Sequence, residues 1–133
     1  MVLLDTHVLI WIDEANNKLG QIAKGVVDDA LLSGRLAVAS ISFWEIAMLV
    51  QKKRVSISLE LDIWRIELLQ NGLRELLING SIAIRAGQLQ QMHGDPADRL
   101  IVATALEHSA TLVTADQKIL DWQGLPYKLD ASL

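Results

Sequence analysis

Short apolar runs separated by helical patterns are the feature that most restricts the fold of this chain. The runs Val2–Leu4, Leu36–Ala39 and Thr111–Thr114 contain no charged residue, and strands without a polar face are typical of a parallel sheet covered on both sides. Two further strands are predicted at Leu73–Ile78 and Tyr127–Leu129. The sequence therefore predicts an α/β fold, in which helices on both faces of a short-stranded, mostly parallel central sheet form three layers.

Seven helical segments are predicted around these strands, because apolar residues recur there at helical spacing. They are Thr6–Ile12, Gln21–Leu32, a helix that begins at Ser42 and ends in the basic run Lys52-Lys53-Arg54, Leu59–Leu69, Ser81–Gln90, Asp95–Glu107 and Asp116–Trp122. With 133 residues, the chain has the length of one domain, which we expect to span residues 1–133.

Composition excludes several classes of protein. The chain has no cysteine, so disulfides, thiolate metal sites and cysteine nucleophiles are absent. Uncharged stretches such as Leu36–Trp44 span nine residues, whereas a membrane-spanning helix needs about 20. The N-terminus lacks a basic region and reaches Asp5 at once, unlike a signal peptide. We therefore expect a cytoplasmic protein, and its net charge of −4 disfavours nucleic-acid binding by bulk electrostatics alone.

Acidic residues occur where the predicted strands end. Asp5 directly follows the first strand, Glu45 lies just after the second, and Asp116 follows the fourth. Asp95 and Asp98 begin a long predicted helix. Because parallel strands end at one edge of the sheet, where such folds place their ligand sites, we expect these acids to converge there.

Each of these acids also has a simpler structural explanation. Ser42 and Glu45 have the spacing of a capping box. Asp95 is followed by a proline and, three residues later, by Asp98, which is the pattern of a helix N-cap. Asp116 suits the first turn of a helix. Only Asp5, which ends a buried strand, has no evident capping role.

A shared acidic site needs a compensating cation, because neighbouring carboxylates otherwise raise one another's pKa. Hard divalent cations such as Mg²⁺ and Mn²⁺ prefer oxygen ligands. A carboxylate site of this kind suits phosphate chemistry, in which the ion neutralises phosphate oxygens and lowers the pKa of a bound water. The sequence contains no glycine-rich phosphate loop that would compete with this interpretation.

Four motifs, taken in order, resemble those of PIN-domain ribonucleases, specifically the VapC-type toxins of bacterial toxin–antitoxin pairs. The resemblance is carried by Val2–Trp11 (VLLDTHVLIW), Ser42–Met48 (SFWEIAM), His93–Ala105 (HGDPADRLIVATA) and Leu112–Asp116 (LVTAD). It implies a PIN-like three-layer fold and an Mg²⁺- or Mn²⁺-dependent endoribonuclease that leaves 3′-hydroxyl and 5′-phosphate ends. The acids that the family pattern assigns to catalysis and metal binding are Asp5, Glu45, Asp98 and Asp116.

The resemblance also implies supporting residues and partners. Thr6 and Thr114 match hydroxyl positions that flank the site, Arg99 follows the third acid, and Asp95 is peripheral. Family members are usually homodimers that an antitoxin silences, often by placing a basic side chain in the acidic pocket. The expected partners are therefore an RNA substrate, an antitoxin and a second copy of the chain, with no membrane.

Other side chains have less specific explanations. We expect His7 and His93 to make local contacts, and Trp44 to pack in preference to contacting a partner or a base. Arg99 either contacts substrate phosphate or pairs with a neighbouring acid. On the fourth predicted helix, apolar residues exceed one buried stripe, which predicts an exposed apolar surface for an antitoxin or a dimer. The residues concerned are Leu61, Trp64, Leu68 and Leu69.

Two rival functions remain at this stage. The first is a catalytically silent PIN-like module that binds an antitoxin or RNA without turnover. The second is phosphoryl transfer through an aspartyl-phosphate at Asp5, which the sequence disfavours because Asp5-Thr6-His7 lacks a second aspartate two residues on.

Overall fold

The computed structural model, which describes residues 1–133, contains one five-stranded parallel sheet with the strand order β3-β2-β1-β4-β5. The strands are β1 (Val2–Leu4), β2 (Leu36–Ala39), β3 (Arg74–Leu76), β4 (Thr111–Thr114) and β5 (Lys128–Asp130). All five were expected from the sequence. The third is shorter than expected, because only Arg74–Leu76 finds partners along β2.

Seven helices surround this sheet, as expected. They are α1 (Thr6–Asp13), α2 (Gln21–Leu32), α3 (Ser40–Gln51), α4 (Leu61–Gln70), α5 (Gly80–Gln88), α6 (Pro96–Glu107) and α7 (Gln117–Asp121). None of them combines the length and the apolar character needed to cross a membrane.

Two apolar layers hold the helices on the sheet. One face, with Leu4 and Val38, packs against α1, α2, α3 and α4. The opposite face, with Leu3 and Leu112, packs against α6 and α7. Successive residues of a strand point to opposite faces, so Leu3 and Leu4 serve different layers. The predicted three-layer α/β/α architecture is confirmed.

The strand order determines where a ligand site can form. From β1 the chain adds β2 and β3 on one side, and then crosses to place β4 on the other side of β1. Leu4 lies between Val38 and Val113 in the register. The order thus reverses between β1 and β4, and ligands bind doubly wound sheets beyond the carboxyl ends of the strands at such a point. Asp5 is the first residue beyond β1.

Helix α3 begins at Ser40, two residues before the expected start at Ser42. Its N-cap is Ala39, and no side chain caps it. The capping-box explanation of Ser42 and Glu45 is therefore wrong. Ser42 is fully buried, and its hydroxyl oxygen lies 2.9 Å from the Thr6 hydroxyl of α1, so a contact between helices replaces the local cap.

Trp64 of helix α4 points into the core, so the expectation that it forms part of an exposed apolar surface is wrong. Trp64 is buried, packs edge-on against Phe43, and donates its indole N–H to Asp13 Oδ1 at 3.0 Å. The exposed apolar residues of this helix are instead Ile63 and Ile66, each 49% exposed. Trp44 of α3, expected to pack, is 53% exposed.

Arg99 neither pairs with an acid nor faces the acidic residues. Its guanidinium donates to five backbone carbonyls at the end of α5 and in the loop that follows, at distances from 3.0 to 3.4 Å. These carbonyls belong to Ala86, Gly87, Leu89, Met92 and His93. Because a guanidinium has five N–H groups, Arg99 uses its full donor capacity to fix this loop against α6.

Replacing Arg99 with methionine should lower the free energy of unfolding by about 2–4 kcal/mol, because several charge-assisted hydrogen bonds are lost while the side-chain stem is kept. Urea unfolding followed by circular dichroism measures this change. The matched control is Arg85→Met on α5, where a half-exposed ion pair with Glu107 at 3.4 Å is worth less than about 1 kcal/mol. Equal losses for the two variants would contradict the assigned role of Arg99.

Candidate active site

A cleft of about 330 Å³ lies at the carboxyl edge of the sheet, above β1 and β4. Five carboxylates from separate parts of the chain line it, together with His7, Trp11 and Ala115. The carboxylates belong to Asp5, Glu45, Asp95, Asp98 and Asp116. The structure thus brings together all four acids that the family pattern assigns, with Asp95 beside them.

Asp5 lies deepest in this cleft and is 7% exposed. One carboxylate oxygen accepts the Thr6 backbone N–H at 2.8 Å, so Asp5 is the N-cap of α1, and the expectation that it has no capping role is wrong. The other accepts the Thr114 hydroxyl at 2.6 Å. Burial raises the pKa of Asp5, and these two hydrogen bonds partly oppose the increase. Each oxygen keeps a lone pair that faces no protein donor, which leaves Asp5 able to bind a cation.

The two threonines hold the acids in place, which gives the sequence-predicted hydroxyl positions a definite role. Thr114 donates to Asp5 and accepts the Asp116 backbone N–H at 3.1 Å. Thr6 donates to Glu45 Oε1 at 2.5 Å. Burial raises the pKa of Glu45, the Thr6 hydrogen bond lowers it, and the charge of Asp5 raises it further. Both hydroxyls thus orient carboxylates from different elements.

Asp98 is paired with His93, a contact that the sequence did not predict. His93 Nε2 lies 2.8 Å from Asp98 Oδ2, and both side chains are largely buried. The pKa of Asp98 is raised from 3.8 to about 6, chiefly by burial; the charge of Asp5 adds to the rise, and the bond to His93 opposes it. His93 was expected to make a local contact within its loop, whereas its contact is to a carboxylate of the acidic cleft.

Asp95 and Asp116 are helix caps as well as lining residues. Asp95 Oδ1 accepts the Asp98 backbone N–H at 3.2 Å, as expected for the N-cap of α6. Asp116 Oδ1 accepts the Lys118 backbone N–H at 2.8 Å and caps α7. Capping and site formation therefore coincide, since the N-termini of these helices lie at the same edge.

The cleft carries negative charge that no lysine or arginine balances. The basic side chains near its acids are histidines: His7 lines the cleft and partly lowers the pKa values of Asp5 and Glu45, and His93 contacts Asp98. The pKa values of Asp5, Glu45 and Asp98 are all raised, with burial as the largest cause. Folding thus places carboxylates where their charged forms are unfavourable, unless a cation joins them.

The donor atoms fit a hard divalent cation, because the cleft offers several carboxylate oxygens from fixed positions. The tightest potential ligand group consists of His93, Asp98 and Asp116, whose ligand atoms lie within 4.8 Å of one another. This group combines an imidazole nitrogen with two of the four acids expected from the sequence, whereas Asp5 and Glu45 line the same cleft outside the group. His93 stands five residues before Asp98 within one motif, and that proximity is the signal that would have indicated it.

Comparison with known proteins agrees with this geometry. A family model described as the PIN domain matches residues 2–124. Ribonuclease VapC22 of Mycobacterium tuberculosis is 38% identical over 119 residues, which cover 89% of this chain and 88% of that protein.

Solved structures of toxin–antitoxin systems share the fold. VapBC-1 from nontypeable Haemophilus influenzae superposes with a TM-score of 0.66 at 25% identity, over the full length of both chains. A toxin–antitoxin complex from Klebsiella pneumoniae gives 0.63 at 22% identity, covering 98% of each chain. With the acidic cleft, the family match over most of the sequence and the similarity to VapC22, this chain belongs to the PIN-domain family, among its VapC-type members.

Proposed function

We propose that this protein is a divalent-metal-dependent endoribonuclease and the toxin of a toxin–antitoxin pair. The observation that carries the proposal is the convergence of Asp5, Glu45, Asp98 and Asp116 in one cleft without a balancing lysine or arginine. The name of the relative from Mycobacterium tuberculosis, a ribonuclease, supports RNA as the substrate. The toxin–antitoxin complexes of similar fold support an antitoxin partner.

The four acids would hold Mg²⁺ or Mn²⁺. Such an ion would supply charge neutralisation for phosphate oxygens and a lower pKa for a coordinated water, which is the chemistry that phosphodiester hydrolysis needs. The protein contributes preorganised ligands: Thr114 orients Asp5, Thr6 orients Glu45, and His93 orients Asp98. Such partners of ligand groups fix their direction and reduce the reorganisation needed on binding.

The position of Asp5 argues against the aspartyl-phosphate alternative. Both of its oxygens accept hydrogen bonds, and the side chain is almost fully buried at the base of the cleft. Asp5 lies at the base of the cleft, where a bulky phosphoryl group has less access than a cation, and the sequence offers no second aspartate two residues on. Asp5 is therefore better suited to hold a cation than to act as a nucleophile.

The same charge supports the proposed regulation. A basic side chain of an antitoxin would find carboxylates without a lysine or arginine partner in the cleft, and ion pairing there would block access of RNA. Ile63 and Ile66 on α4 supply exposed apolar area for a protein contact, and the homodimer expected from the family remains part of this proposal.

Replacing Asp5 with asparagine should lower RNA cleavage more than about 100-fold. Loss of a group that merely orients a metal ligand costs about 10- to 100-fold in activity, and loss of the ligand itself should cost more. Cleavage of total RNA in Mg²⁺ or Mn²⁺, with and without EDTA, measures this. The variant should unfold at the same or a higher temperature in EDTA, since a buried charge is removed. Asp29→Asn on the exposed face of α2 is the control. Full activity of Asp5→Asn, or undiminished wild-type cleavage in EDTA, would refute the mechanism.

Replacing His93 with alanine should lower activity about 10- to 100-fold, because Asp98 loses the group that orients it. The pKa of Asp98 should also rise, since the bond to His93 lowers it, and the acidic limb of the pH–rate profile should move to higher pH. His93→Gln should recover part of the activity. The control is His108→Ala, an exposed change at the end of α6. An unshifted profile for His93→Ala would count against this positioning role.

The raised pKa of Asp98 predicts how stability depends on pH in the metal-free protein. Folded Asp98 keeps its proton up to about pH 6, whereas the unfolded chain loses it near pH 3.8. The folded state thus binds more protons in this window, and the free energy of unfolding falls as pH rises through it. The total effect is at most about 3 kcal/mol above pH 7.

Denaturant unfolding of wild type and Asp98→Asn in EDTA, from pH 4 to pH 7.5, tests this dependence. The variant should lose less stability over the range, so that the difference between the two proteins grows with pH. Parallel profiles would show that Asp98 does not titrate as described.

A further inference from the structure

A second and larger cleft, of about 650 Å³, lies beside the acidic one and has only His93 in common with the residues of the site described above. It is formed by the loop before α6 and by α7 with the loop that follows it. Its volume is within the range of about 300–1,000 Å³ found for small-ligand sites. Most of its lining residues have polar side chains, and its hydrophobic residues are Trp122 and Met92.

The indole of Trp122 is fixed in place in this cleft. Its N–H donates to the Gln90 carbonyl at 2.9 Å, and Lys128 Nζ donates to the Trp122 carbonyl at 2.8 Å. Gly124 is required there, because a Cβ at this position would lie 2.3 Å from two carbon atoms of the indole ring. An aromatic side chain that is already ordered loses little conformational entropy when a planar ligand packs against it.

Unpaired polar groups surround Trp122. The side-chain amides of Gln91 and Gln123 make no hydrogen bond within the protein, and the Lys118 ammonium has no acidic partner. An amide offers both donors and an acceptor, which matches the mixed hydrogen-bonding edge of a nucleobase. Lys118 adds one positive charge, which matches a phosphate.

The two clefts are joined. His93 lines the larger cleft, and its Nε2 contacts Asp98 of the acidic cleft at 2.8 Å. Likewise, Asp116 caps α7 from the acidic side, and Lys118 of the same helix lines the larger cleft. A chain molecule with its phosphate at the acids therefore has the larger cleft as its immediate neighbour.

The two clefts differ in charge. The acidic cleft has five carboxylates and no lysine or arginine, whereas the larger cleft has one lysine and one acid, Asp121. The Asp121 carboxylate accepts a hydrogen bond from Gln117 at 2.7 Å. A nearly neutral surface with an aromatic ring and amides suits the base of a nucleotide, because single-stranded RNA is recognised by stacking and by contacts to exposed base edges.

We propose that the cleft around Trp122, Gln91 and Gln123 binds the base of an unstacked nucleotide next to the scissile phosphate, with Lys118 on the adjoining backbone. This inference deepens the proposed ribonuclease function and depends on it for the identity of the substrate. It assigns selection of the RNA to residues that are separate from the acids that carry out hydrolysis.

Binding is tested without turnover by nuclear magnetic resonance on ¹⁵N-labelled protein in EDTA. The chain has four tryptophans, so four indole N–H signals are expected, and Trp122→Phe identifies that of Trp122. Titration with AMP, CMP, GMP and UMP should move this signal for at least one nucleotide, and ribose 5-phosphate should not. A Trp122 signal that stays unmoved by all four, or that moves equally with ribose 5-phosphate, would overturn the proposal.

Kinetics provide the second test, with substitutions that avoid the partly buried tryptophan. The double variant Gln91→Ala/Gln123→Ala should raise KM for RNA about tenfold, as expected for two lost hydrogen bonds, and change kcat by less than about twofold. Gln51→Ala/Gln70→Ala, at the exposed ends of α3 and α4, is the matched control. An unchanged KM for the first double variant would overturn the proposal.

The two proposals fail in different ways. If the wild type cleaves no RNA with Mg²⁺ or Mn²⁺ while nucleotides still move the Trp122 signal, the ribonuclease function is wrong and the nucleotide site stands. If the wild type cleaves RNA while the signal never moves, the nuclease stands and the base site is wrong.

Discussion

The desolvation of Asp5 at the end of the central strand is the constraint around which this molecule is arranged. The first three residues of the sheet are buried on both faces, and the chain then places a carboxylate at once in the same dry environment. Such a group is tolerated only with donors around it. Thr6 and Thr114 supply them from the start of α1 and the end of β4, so the polar contacts of Asp5 tie two neighbouring strands to a helix.

This arrangement extends outward through the backbone N–H and hydroxyl of Thr6 and through the hydroxyl of Thr114. Thr6 links Asp5 to Glu45 of α3, and Thr114 links Asp5 to Asp116 before α7. No buried side-chain polar atom is left without a partner. The acids are therefore held by the fold itself, although their charges repel one another. The fold is less stable for holding these carboxylates together, but their oxygens are thereby positioned for a cation, which is a common compromise at functional sites.

Much of this could be predicted from the sequence, because strand and helix periods are local signals and the edge rule of parallel sheets is general. Asp5, Glu45 and Asp116 could be assigned to one edge for that reason. The length of β3 could not, since it depends on how far β2 extends beside it. The start of α3 was misjudged because Ser42 contacts Thr6, 36 residues away. The pairing of His93 with Asp98 depends on the shape of a loop that Arg99 holds through five backbone carbonyls.

Arg99 holds the loop before α6 in a way that does not depend on the side chains of that loop. Arg99 directly follows Asp98 and fastens the loop that carries Gln91 and His93 through main-chain atoms alone. Backbone carbonyls are the same whatever side chains the loop bears. Apart from His93, which contacts Asp98, side chains of the loop such as Gln91 can therefore change while Arg99 keeps the main chain of the loop in place. The fold thus separates the main-chain geometry beside the acidic cleft from the side chains that line the neighbouring cleft, so a point mutation can alter the second without disturbing the first.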